Sequence, residues 1–356
     1  MDSGLLLSIV MPVYNAENYI DKAVESVLSQ SYRSIELILV NDCSTDGSGK
    51  KCEAWADRDE RVRVFHLDEN SGAGRARNFG IEKATGTYLT FVDSDDEIDR
   101  NLYETLFDLC GGKQYDVVVW GLTERYYNER GEAVSENVLC LDDAVCRTET
   151  ELRRRVIDLE SKTLFGYQWN HLYRMDIVRE HNIRFKPYHL YEDYFFNLAY
   201  IEYASSMAVS SCVGYYYNKR MNQSLTKQFV AEYFTLSRKR IQSMAEAYKR
   251  WGLMDEKVRD ILGQRYLRYY FSALMRNNDP KSKMNYAKKR KWVKKSLEDP
   301  FYLEVARACD AGSLYLKILQ KMMKLHFISG CLLFGKALYI VRTKLPGIYA
   351  EKGQIH

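Results

Sequence analysis

Residues 5–28, LLLSIVMPVYNAENYIDKAVESVL, contain the pattern that decides the fold. The first ten of them form an apolar run of strand length, and the segment that follows carries apolar residues at helical spacing. The helical positions are Ile20, Ala23, Val24, Val27 and Leu28. This stretch therefore predicts one buried strand followed by one amphipathic helix.

The same unit recurs through the first hundred residues. Further strands are predicted at residues 34–42, 61–69 and 87–96, with helices at residues 43–59 and 72–84 between them. Strands that alternate with helices are typical of an α/β fold, in which a mostly parallel sheet carries helices on both faces. We expect a ligand at the carboxyl ends of the strands, because loops and helix N-termini converge there.

The turn after the first strand limits what that ligand can be. A dinucleotide-binding fold places a glycine-rich turn at this point, whereas here the turn reads MPVYNAENY and contains no glycine. Gly72 and Gly74 follow the third strand, and Arg77 stands where the third glycine of that motif would be. No GxxxxGK[ST] loop occurs either. A phosphorylated ligand would therefore need a divalent metal held by carboxylates.

Five carboxylates lie within seven residues at the end of TYLTFVDSDDEID, residues 87–99. Adjacent carboxylates make one another harder to ionise, so we expect a cation near this segment. Asp93 and Asp95 could supply one metal ligand and one contact to a sugar or ribose hydroxyl, and Mg²⁺ or Mn²⁺ suits such a site. An acidic helix start, stabilised by the helix dipole, explains the residues equally well.

Composition divides the chain into two parts of opposite charge. Residues 1–230 hold 26 Lys and Arg against 37 Asp and Glu, a net charge of −11, and residues 231–356 hold 26 against 11, a net charge of +15. Because the part with the site motifs is acidic, nucleic acid is not expected as a partner. The cysteines form no CxxC pair, the histidines lack metal-ligand spacing and no signal-peptide pattern is present. We therefore expect reduced thiols in the cytoplasm and no zinc site.

Six ordered segments within residues 7–228 resemble the inverting family-2 glycosyltransferases with the GT-A fold, of the type that builds bacterial cell-surface polysaccharides. They are SIVMPVYNAENYI, ELILVNDCSTDGS, NSGAGRARNFGIEKATGTYLTFVDSDD, WNHLYR, YEDYFF and YYYNKRMNQSLT. The resemblance implies a Rossmann-like, mostly parallel sheet flanked by helices. It also implies a nucleotide-sugar donor, usually UDP-linked, and transfer of a hexosyl or N-acetylhexosaminyl group with inversion at the anomeric carbon.

The resemblance also implies roles for individual residues of the donor site. Asp42 would contact the uracil or its ribose, although from the residues alone we would interpret it as a helix cap. Its neighbours Asn41 and Cys43 depart from the Asp and Gly that many relatives carry. The base pocket would be walled by Pro12, Val13 and Tyr14.

In the acidic segment, the resemblance implies that Asp93 and Ser94 contact the ribose or the donor sugar and that Asp95 binds the metal, Mn²⁺ or Mg²⁺. Arg77 and Asn78, early on the helix after the third strand, would support the nucleotide pocket. An ion pair with the acidic segment plus a local cap is the alternative interpretation of that pair.

Inverting transfer is a direct displacement, so a positioned carboxylate usually accepts the proton of the acceptor hydroxyl. The resemblance implies that Asp193 is this base, with Glu192 beside it, whereas the residues alone favour an acidic first turn of a helix. Arg220 and Ser224 match the segment that closes over the diphosphate, where cations stabilise the departing charge. A solvated basic loop is the alternative. His171 stands where relatives commonly have lysine, and its role is left unassigned.

The last 126 residues lie outside the resemblance and are predicted to be helical. Lys317, Lys321 and Lys324 share one face of a predicted helix. We interpret this region as a basic amphipathic surface for an anionic membrane, suited to a lipid-linked acceptor, with a helical cap or a homodimer interface as the alternative. The apolar residues available for the membrane are Leu316, Leu319, Met322 and Met323.

These observations predict a nucleotide-sugar-binding half at residues 1–110, an acceptor-binding and catalytic-base half at residues 111–228, and a helical region at residues 229–356. The predicted function is metal-assisted transfer of a sugar to a saccharide or lipid-linked saccharide, by a cytoplasmic protein peripheral to the inner face of the cell membrane. Two alternatives stay open. One is a sugar nucleotidyltransferase, although its glycine-rich GxGTR-type loop is missing, and the other is a non-catalytic, membrane-attached subunit of polysaccharide assembly.

Overall fold

A computed structural model describes residues 4–128, 130–188, 190–220 and 229–344. The chain divides into two compact units, residues 1–224 and residues 225–356. The first unit is built on a sheet and the second is built from helices. All eight cysteines are free thiols. Within the described ranges, no helix combines the length and the apolar character needed to cross a bilayer.

Among the described residues of the first unit, ten strands form one sheet. The main path across the sheet is β3-β2-β1-β4-β9-β6-β10-β5, while β7 pairs with β6 and β8 pairs with β10. In chain order the strands are β1 (Leu7–Val13), β2 (Ile35–Asn41), β3 (Val62–His66), β4 (Tyr88–Phe91), β5 (Glu97–Ile98), β6 (Val117–Tyr127), β7 (Ala133–Leu139), β8 (Ala144–Cys146), β9 (His171–Arg174) and β10 (Met207–Lys219).

The first four strands pair in parallel, as the alternation of strands and helices predicts. Every residue of β1 and β2 is buried, which is typical of parallel strands with helices on both faces. The other half of the sheet is mixed. There, β9 runs antiparallel to both β4 and β6, while β6 and β10 are parallel to each other.

Seven α-helices of the described residues accompany this sheet. They are α1 (Ile20–Leu28), α2 (Ser48–Ala56), α3 (Ala73–Lys83), α4 (Leu102–Cys110), α5 (Glu149–Ser161), α6 (Met175–Glu180) and α7 (Glu192–Ile201). Helix α3 lies close to β1 because Gly80 has no side chain. A Cβ atom at Gly80 would be 2.3 Å from Val10 Cγ1, far inside van der Waals contact. This close packing holds α3 at the strand ends that form the site.

The second unit is organised around one long helix. Its described helices are α8 (Tyr233–Arg250), α9 (Glu256–Arg276), α10 (Tyr286–Leu297), α11 (Pro300–Val305), α12 (Leu314–Lys324) and α13 (Ile328–Lys344). Helix α9 packs against α8, α11, α12 and α13. The sequence pattern extends as one helical stretch through residues 313–345, but the structure breaks it at His326, whose φ is 52°.

The apolar face that the sequence offers to a membrane is largely used inside this unit. Leu316, Leu319 and Met323 are buried, with exposed fractions of 1% or less. Helix α12 turns these side chains inward, since it packs on α9. The prediction that Leu316, Leu319 and Met323 are available for a membrane is therefore wrong.

Candidate active site

The carboxyl ends of the parallel strands bring the predicted donor-site residues to one edge of the sheet. Pro12 and Val13 are the last residues of β1 and are buried. Tyr14 directly follows the strand, and 49% of its surface is exposed. Of the three predicted wall residues, Tyr14 is thus the one whose side chain faces solvent.

Asp42 follows β2 and fixes the turn before α3. The residue is 2% exposed, and its carboxylate oxygens accept hydrogen bonds from the backbone N–H groups of Ser71 and Gly72, each at 2.8 Å. It does not cap α2, because Asp46 accepts the hydrogen bond from the first turn of that helix. Asp42 therefore joins the end of β2 to the loop that starts α3.

Cys43 has a backbone conformation that explains the glycine of many relatives. Its φ of 57° lies in the left-handed region, where a Cβ atom is disfavoured and glycine is not. The thiol lies 3.6 Å from the carbonyl oxygen of Asp68. The side chain of the neighbouring Asn41 accepts a hydrogen bond from Ser44 N at 3.2 Å. The turn beside Asp42 is thus kept despite both departures from the family pattern.

Arg77 joins the acidic end of β4 to the first turn of α7. Its guanidinium donates to Asp93 Oδ1 at 2.8 Å, to Glu192 Oε1 at 2.9 Å and to Asp193 Oδ1 at 3.2 Å. The Arg77 side chain is only 6% exposed. One buried cation therefore neutralises part of the charge of three carboxylates. This contact brings together the predicted donor site and the predicted base, which lie far apart in the sequence.

Burial raises the pKa of Asp193 to about 7, because an ionised carboxylate loses its hydration. The charge of Arg77 opposes this shift, and the charges of Glu192 and Asp93 add to it. Burial likewise raises the pKa of Glu192. The Asp193 side chain is still 26% exposed and can be reached by a ligand. A carboxyl group with a pKa near neutrality suits general acid–base chemistry.

Asn78 fastens the segment before α7 to helix α3. Its side-chain nitrogen donates to the carbonyl oxygen of Phe185, and its side-chain oxygen accepts from Phe185 N, both at 2.8 Å. The Phe185 ring centroid is 5.5 Å from the guanidinium carbon of Arg77. Arg77 and Asn78, predicted to support the nucleotide pocket, thus also position the segment that leads to α7.

Gln168 completes the Arg77 cluster and is not predicted from the sequence. With its amide oriented to satisfy both neighbours, its nitrogen donates to Asp193 Oδ2 at 2.9 Å and its oxygen accepts from Arg77 Nη2 at 2.9 Å. Gln168 is fully buried. The one signal that the sequence offers is a polar residue directly before WNHLYR, within an aromatic segment.

Asp95 faces solvent at the end of the acidic segment. Its side chain is 43% exposed, and its Oδ2 atom lies 3.3 Å from Arg220 Nη1. Partial burial, followed by the charge of Asp93, raises the pKa of Asp95 to about 6, and Arg220 opposes the shift. Ser94, between the two carboxylates, is 9% exposed. The segment therefore carries one carboxylate turned to Arg77 and one turned outward.

Asp96 is a further carboxylate of this segment, and it serves the sheet. It is 1% exposed and accepts hydrogen bonds from Asn218 N at 2.7 Å and from Tyr215 Oη at 2.9 Å, both on β10. Burial and the charges of Asp95 and Asp93 raise its pKa well above the usual range. Asp96 thus ties the acidic segment to β10.

Arg220 directly follows β10 and lies beside Asp95. It donates to the Asp95 carbonyl oxygen at 2.9 Å, and its guanidinium carbon is 4.1 Å from the ring centroid of Tyr19. The predicted diphosphate residue Arg220 is thereby brought to the predicted metal ligand. Ser224, its predicted companion, lies outside the described residues.

His171 is not a cation at this site. It is 1% exposed, its Nδ1 atom lies 2.8 Å from Asn170 Oδ1, and its ring stacks on Tyr173 with centroids 5.5 Å apart. Burial lowers the pKa of His171 to about 3, so the imidazole is neutral. It packs in the interior and does not supply the positive charge of the lysine that relatives carry.

The surroundings of Asp95 suit a divalent metal that is shared with a phosphorylated ligand. Among residues 4–128, 130–188, 190–220 and 229–344, no three His, Cys, Asp or Glu side chains form a group that could hold a metal ion by themselves. Mg²⁺ and similar hard cations often take one or two carboxylates and complete their coordination with phosphate oxygens and water. Asp95 is an outward-facing carboxylate and would supply one ligand to Mn²⁺ or Mg²⁺, with Arg220 beside it and Asp93 paired to Arg77.

Comparison with known proteins shows the family to which the chain belongs. The family model described as Glycosyl transferase family 2 matches residues 8–181. Glycosyltransferase GlyG of Streptococcus pneumoniae is 46% identical over 123 residues, which are 35% of this chain and 40% of GlyG. EpsJ of Bacillus subtilis, an uncharacterized glycosyltransferase, is 30% identical over 249 residues, which are 70% of this chain and 71% of EpsJ. The match thus spans less than half of GlyG and over two thirds of EpsJ.

A solved structure with a similar fold supports the fold class. The chain is similar to residues 1–349 of S. aureus TarS, crystallised in complex with UDP-GlcNAc, with a TM-score of 0.66 and 23% identity over 94% of this chain and 91% of that chain. This likeness confirms the predicted fold class, an α/β GT-A domain with a helical C-terminal region. The family match and the long alignment to EpsJ place the chain in family 2 of the glycosyltransferases.

Proposed function

We propose that this glycosyltransferase transfers a sugar with inversion from a UDP-linked donor to a hydroxyl group of a saccharide or lipid-linked saccharide. The observation that supports this most is the Arg77 cluster, in which Asp193 is held beside Asp93 at the carboxyl edge of the sheet. A base with a pKa of about 7 is then adjacent to the proposed donor site. TarS, with a similar fold, was crystallised with UDP-GlcNAc and with UDP.

In this proposal, residues 1–110 bind the donor and residues 111–228 bind the acceptor. The exposed ring of Tyr14 contacts the base beside Pro12 and Val13. Asp42 holds the Ser71–Gly72 turn against the pocket and contacts the uracil or ribose. Asp93 and Ser94, at the end of β4, contact the ribose or the donor sugar.

Asp95 would hold Mn²⁺ or Mg²⁺, which on binding neutralises the diphosphate and so helps it to depart. Arg220, beside Asp95, adds a second positive charge at the same place. A distant structural neighbour, the mannosyltransferase PcManGT of Pyrobaculum calidifontis, was solved with GDP-Man and Mn²⁺, at a TM-score of 0.50 and 12% identity.

Asp193 would accept the proton of the attacking hydroxyl. Arg77 and Gln168 both contact its carboxylate and so fix its orientation. Protonation of Asp193 removes one of three negative charges that surround a single guanidinium, and burial favours that change. Burial and the two neighbouring carboxylates therefore favour proton uptake by Asp193 when the new glycosidic bond forms, and Arg77 opposes it.

The name of one relative supports a proposal for the acceptor class. TuaG of Bacillus subtilis, a putative teichuronic acid biosynthesis glycosyltransferase, is 46% identical over 99 residues, which are 28% of this chain and 39% of TuaG. We infer a growing cell-surface polysaccharide as the acceptor. Membership of a glycosyltransferase family decides against the nucleotidyltransferase alternative. Sugar-nucleotide hydrolysis by the purified chain would decide against a non-catalytic assembly subunit.

The test is a screen of UDP- and GDP-sugars for Mn²⁺-dependent release of the nucleotide by the full chain. Once a donor is found, Asp193→Asn should lower transfer by a factor of at least about 100 and leave UDP binding unchanged, because a general base contributes roughly that much. Asp95→Asn should lose turnover and the Mn²⁺ dependence of UDP binding. Asp57→Asn, an exposed change of the same kind, is the control.

Three results would contradict the proposal. The first is that no sugar nucleotide is turned over. The second is that Asp193→Asn weakens UDP binding and preserves transfer, which would put Asp193 in the donor pocket. The third is that Asp95→Asn keeps its Mn²⁺ dependence, which would place the metal elsewhere.

A further inference from the structure

Helix α12 exposes an apolar stripe on the face opposite its buried one. Leu314 is 76% exposed, Ile318 is 47% exposed and Leu325, directly after the helix, is 69% exposed. At 3.6 residues per turn, positions 314, 318 and 325 fall on one line along the helix. These large apolar side chains thus form a line on the surface, while the residues on the other face of α12 pack into the core of the unit.

Lysines lie along the same stripe. Lys321 falls between Ile318 and Leu325 on the helix, and Lys317 and Lys324 flank the stripe on one side, within about a third of the helix circumference. All three lysines are exposed. Lys317 lies 3.5 Å from Asp310, an exposed ion pair that solvent screens. The exposed face of α12 therefore alternates cations with large apolar groups.

The surface continues beyond the helix. Phe327, in the turn to α13, is 54% exposed, and Leu333 on α13 is 67% exposed. Lys336, one turn further along α13, is also exposed. The pKa of Lys289 on α10 is lowered, by burial first and by the positive charge of Lys336 second, so cations of two packed helices lie near each other.

Asp310, which pairs with Lys317, is the only acidic residue among residues 305–350, so the sequence supplies little negative charge near these cations. Residues 311–350 contain six Lys and Arg and no Asp or Glu. An unbalanced positive surface that is also apolar fits a partner with anionic groups above an apolar layer. The headgroups and acyl chains of an anionic bilayer have this arrangement.

We propose that the basic-apolar face, defined as Leu314, Lys317, Ile318, Lys321, Lys324, Leu325, Phe327, Leu333 and Lys336, docks the helical unit on an anionic lipid bilayer. The lysines contact headgroups, and the leucine, isoleucine and phenylalanine side chains enter the boundary of the acyl layer. This inference does not depend on the proposed chemistry of the sheet unit. It differs from the sequence-based expectation in the apolar residues that do the binding.

A second copy of the chain is a poorer occupant of this face. In a twofold dimer the same patch meets itself, so the lysines of one subunit would face those of the other, with Asp310 as the only acidic residue of residues 305–350. Like charges in an interface oppose association. An acidic protein could satisfy the lysines, and the experiment is arranged to separate it from a membrane.

The experiment measures co-sedimentation of the full purified chain with vesicles of phosphatidylcholine, with and without phosphatidylglycerol. We expect binding to the anionic vesicles and little to the neutral ones. Lys317→Gln, Lys321→Gln and Lys324→Gln together should lower the partition coefficient by about a hundredfold, because each lysine near an anionic surface contributes about 1 kcal/mol. High salt should have a similar effect, because the screening length is about 8 Å at physiological ionic strength.

A second variant tests whether the exposed apolar side chains contribute to vesicle binding. Leu314→Ser, Ile318→Ser and Leu325→Ser together should lower binding to anionic vesicles at least tenfold and leave sugar-nucleotide turnover unchanged. The matched charge control is Lys22→Gln, Lys50→Gln and Lys113→Gln in the sheet unit, all exposed positions. The matched apolar control is Val134→Ser with Val138→Ser, which are 60% and 55% exposed. Both controls should bind vesicles like the unaltered chain.

Three outcomes would overturn the inference. The full chain fails to bind anionic vesicles, or the lysine and apolar variants bind as well as their controls, or the unaltered chain is a dimer that the serine variants dissociate. The last outcome would make the face a subunit interface. Point variants are preferred to removal of α12 and α13, because truncation would strip Leu316, Leu319 and Met323 from the core of the unit.

Discussion

The sheet unit and the helical unit use charge in opposite ways. In the sheet unit, the site cation Arg77 is 6% exposed and is surrounded by three carboxylates. In the helical unit, Lys321 and Lys324 are exposed, on a segment without acidic residues. Buried and paired charge fixes the geometry of a site, whereas exposed and unbalanced charge attracts a partner. The difference separates a unit built for chemistry from a unit that we infer is built for attachment.

The largest expected effect tests the buried side of this comparison. Arg77→Met should lower the free energy of unfolding by about 3–5 kcal/mol, the cost of removing the buried member of an ion pair and leaving its partners uncompensated. Arg75→Met is the control, because Arg75 is 68% exposed and pairs with an exposed Glu69. We expect that control to stay within about 0.5 kcal/mol, like most surface changes. Chemical denaturation measures the free energy of unfolding of the unaltered chain and of both variants.

The loss of stability caused by Arg77→Met should depend on pH, and this dependence is a second test. Without Arg77, the pKa values of Glu192 and Asp193 should rise further above their values in the unfolded chain. Stability from such groups is present at low pH and is lost as pH rises through the folded-state pKa. The variant should therefore be closer to the unaltered chain at pH 5 than at pH 8. An equal loss at both values would show that the carboxylates do not depend on Arg77.

The second prediction compares the pH response of the two units. If Asp193 is the base with a pKa of about 7, the rate of transfer should rise roughly tenfold per pH unit below 7 and level off above it. Vesicle binding through exposed lysines, measured in the variant His326→Gln so that no imidazole lies on the face, should change little over the same range. The measurements are a pH–rate profile and co-sedimentation at pH 5, 6, 7 and 8. A flat rate profile would remove Asp193 from proton transfer.

Sequence patterns predict the sheet unit better than the helical unit, and the physical reason is directionality. Parallel strands end at one edge, so a residue that follows a strand, such as Asp42 or Asp93, is placed near its counterparts by topology alone. Gln168 follows no such rule, because it reaches Asp193 through side-chain packing in an aromatic segment. The antiparallel pairing of β9 cannot be predicted from the sequence either, because its four residues do not indicate which strands lie beside it.

In the helical unit, periodicity finds the helices but not their inward faces. Helix α12 is apolar on both sides, with Leu316 buried and Ile318 exposed, so spacing alone cannot tell which side meets α9. The choice depends on the packing partner. The break at His326 is equally hidden, because no glycine or proline marks the turn between α12 and α13.

The third prediction asks whether the helical unit also depends on a buried pair. Arg238 donates to both carboxylate oxygens of Asp299, at 2.6 and 2.7 Å, and Asp299 accepts from Phe301 N at the start of α11. Asp299→Ala should cost about 1–3 kcal/mol, less than Arg77→Met, since a lost cap costs about 1 kcal/mol and Arg238 keeps partial access to water. Asp299→Asn keeps the cap and should cost less. A loss above that of Arg77→Met would break the comparison.

The fourth prediction concerns the positioning of the base. Gln168→Leu removes the amide that donates to Asp193 Oδ2 and should lower kcat by about tenfold, the scale of one hydrogen bond to a charged group. Because that hydrogen bond favours the ionised carboxylate, its loss should also move the midpoint of the pH–rate profile upward. The KM for the donor should not change. A lower kcat with an unmoved midpoint would indicate a structural role only.

The smallest effect concerns a feature that the two units share. Cys43 beside Asp42 and His326 between α12 and α13 both have positive φ, 57° and 52°. Cys43→Gly and His326→Gly should each stabilise the protein by up to about 1 kcal/mol, because relief of the left-handed strain outweighs the greater freedom of glycine in the unfolded chain. Cys43→Ala and His326→Ala keep the Cβ atom and should show no gain in chemical denaturation. If an alanine variant gains as much as its glycine counterpart, the side chain and not the backbone carries the cost at that position. Similar gains at both positions would show that the same backbone rule holds in both units.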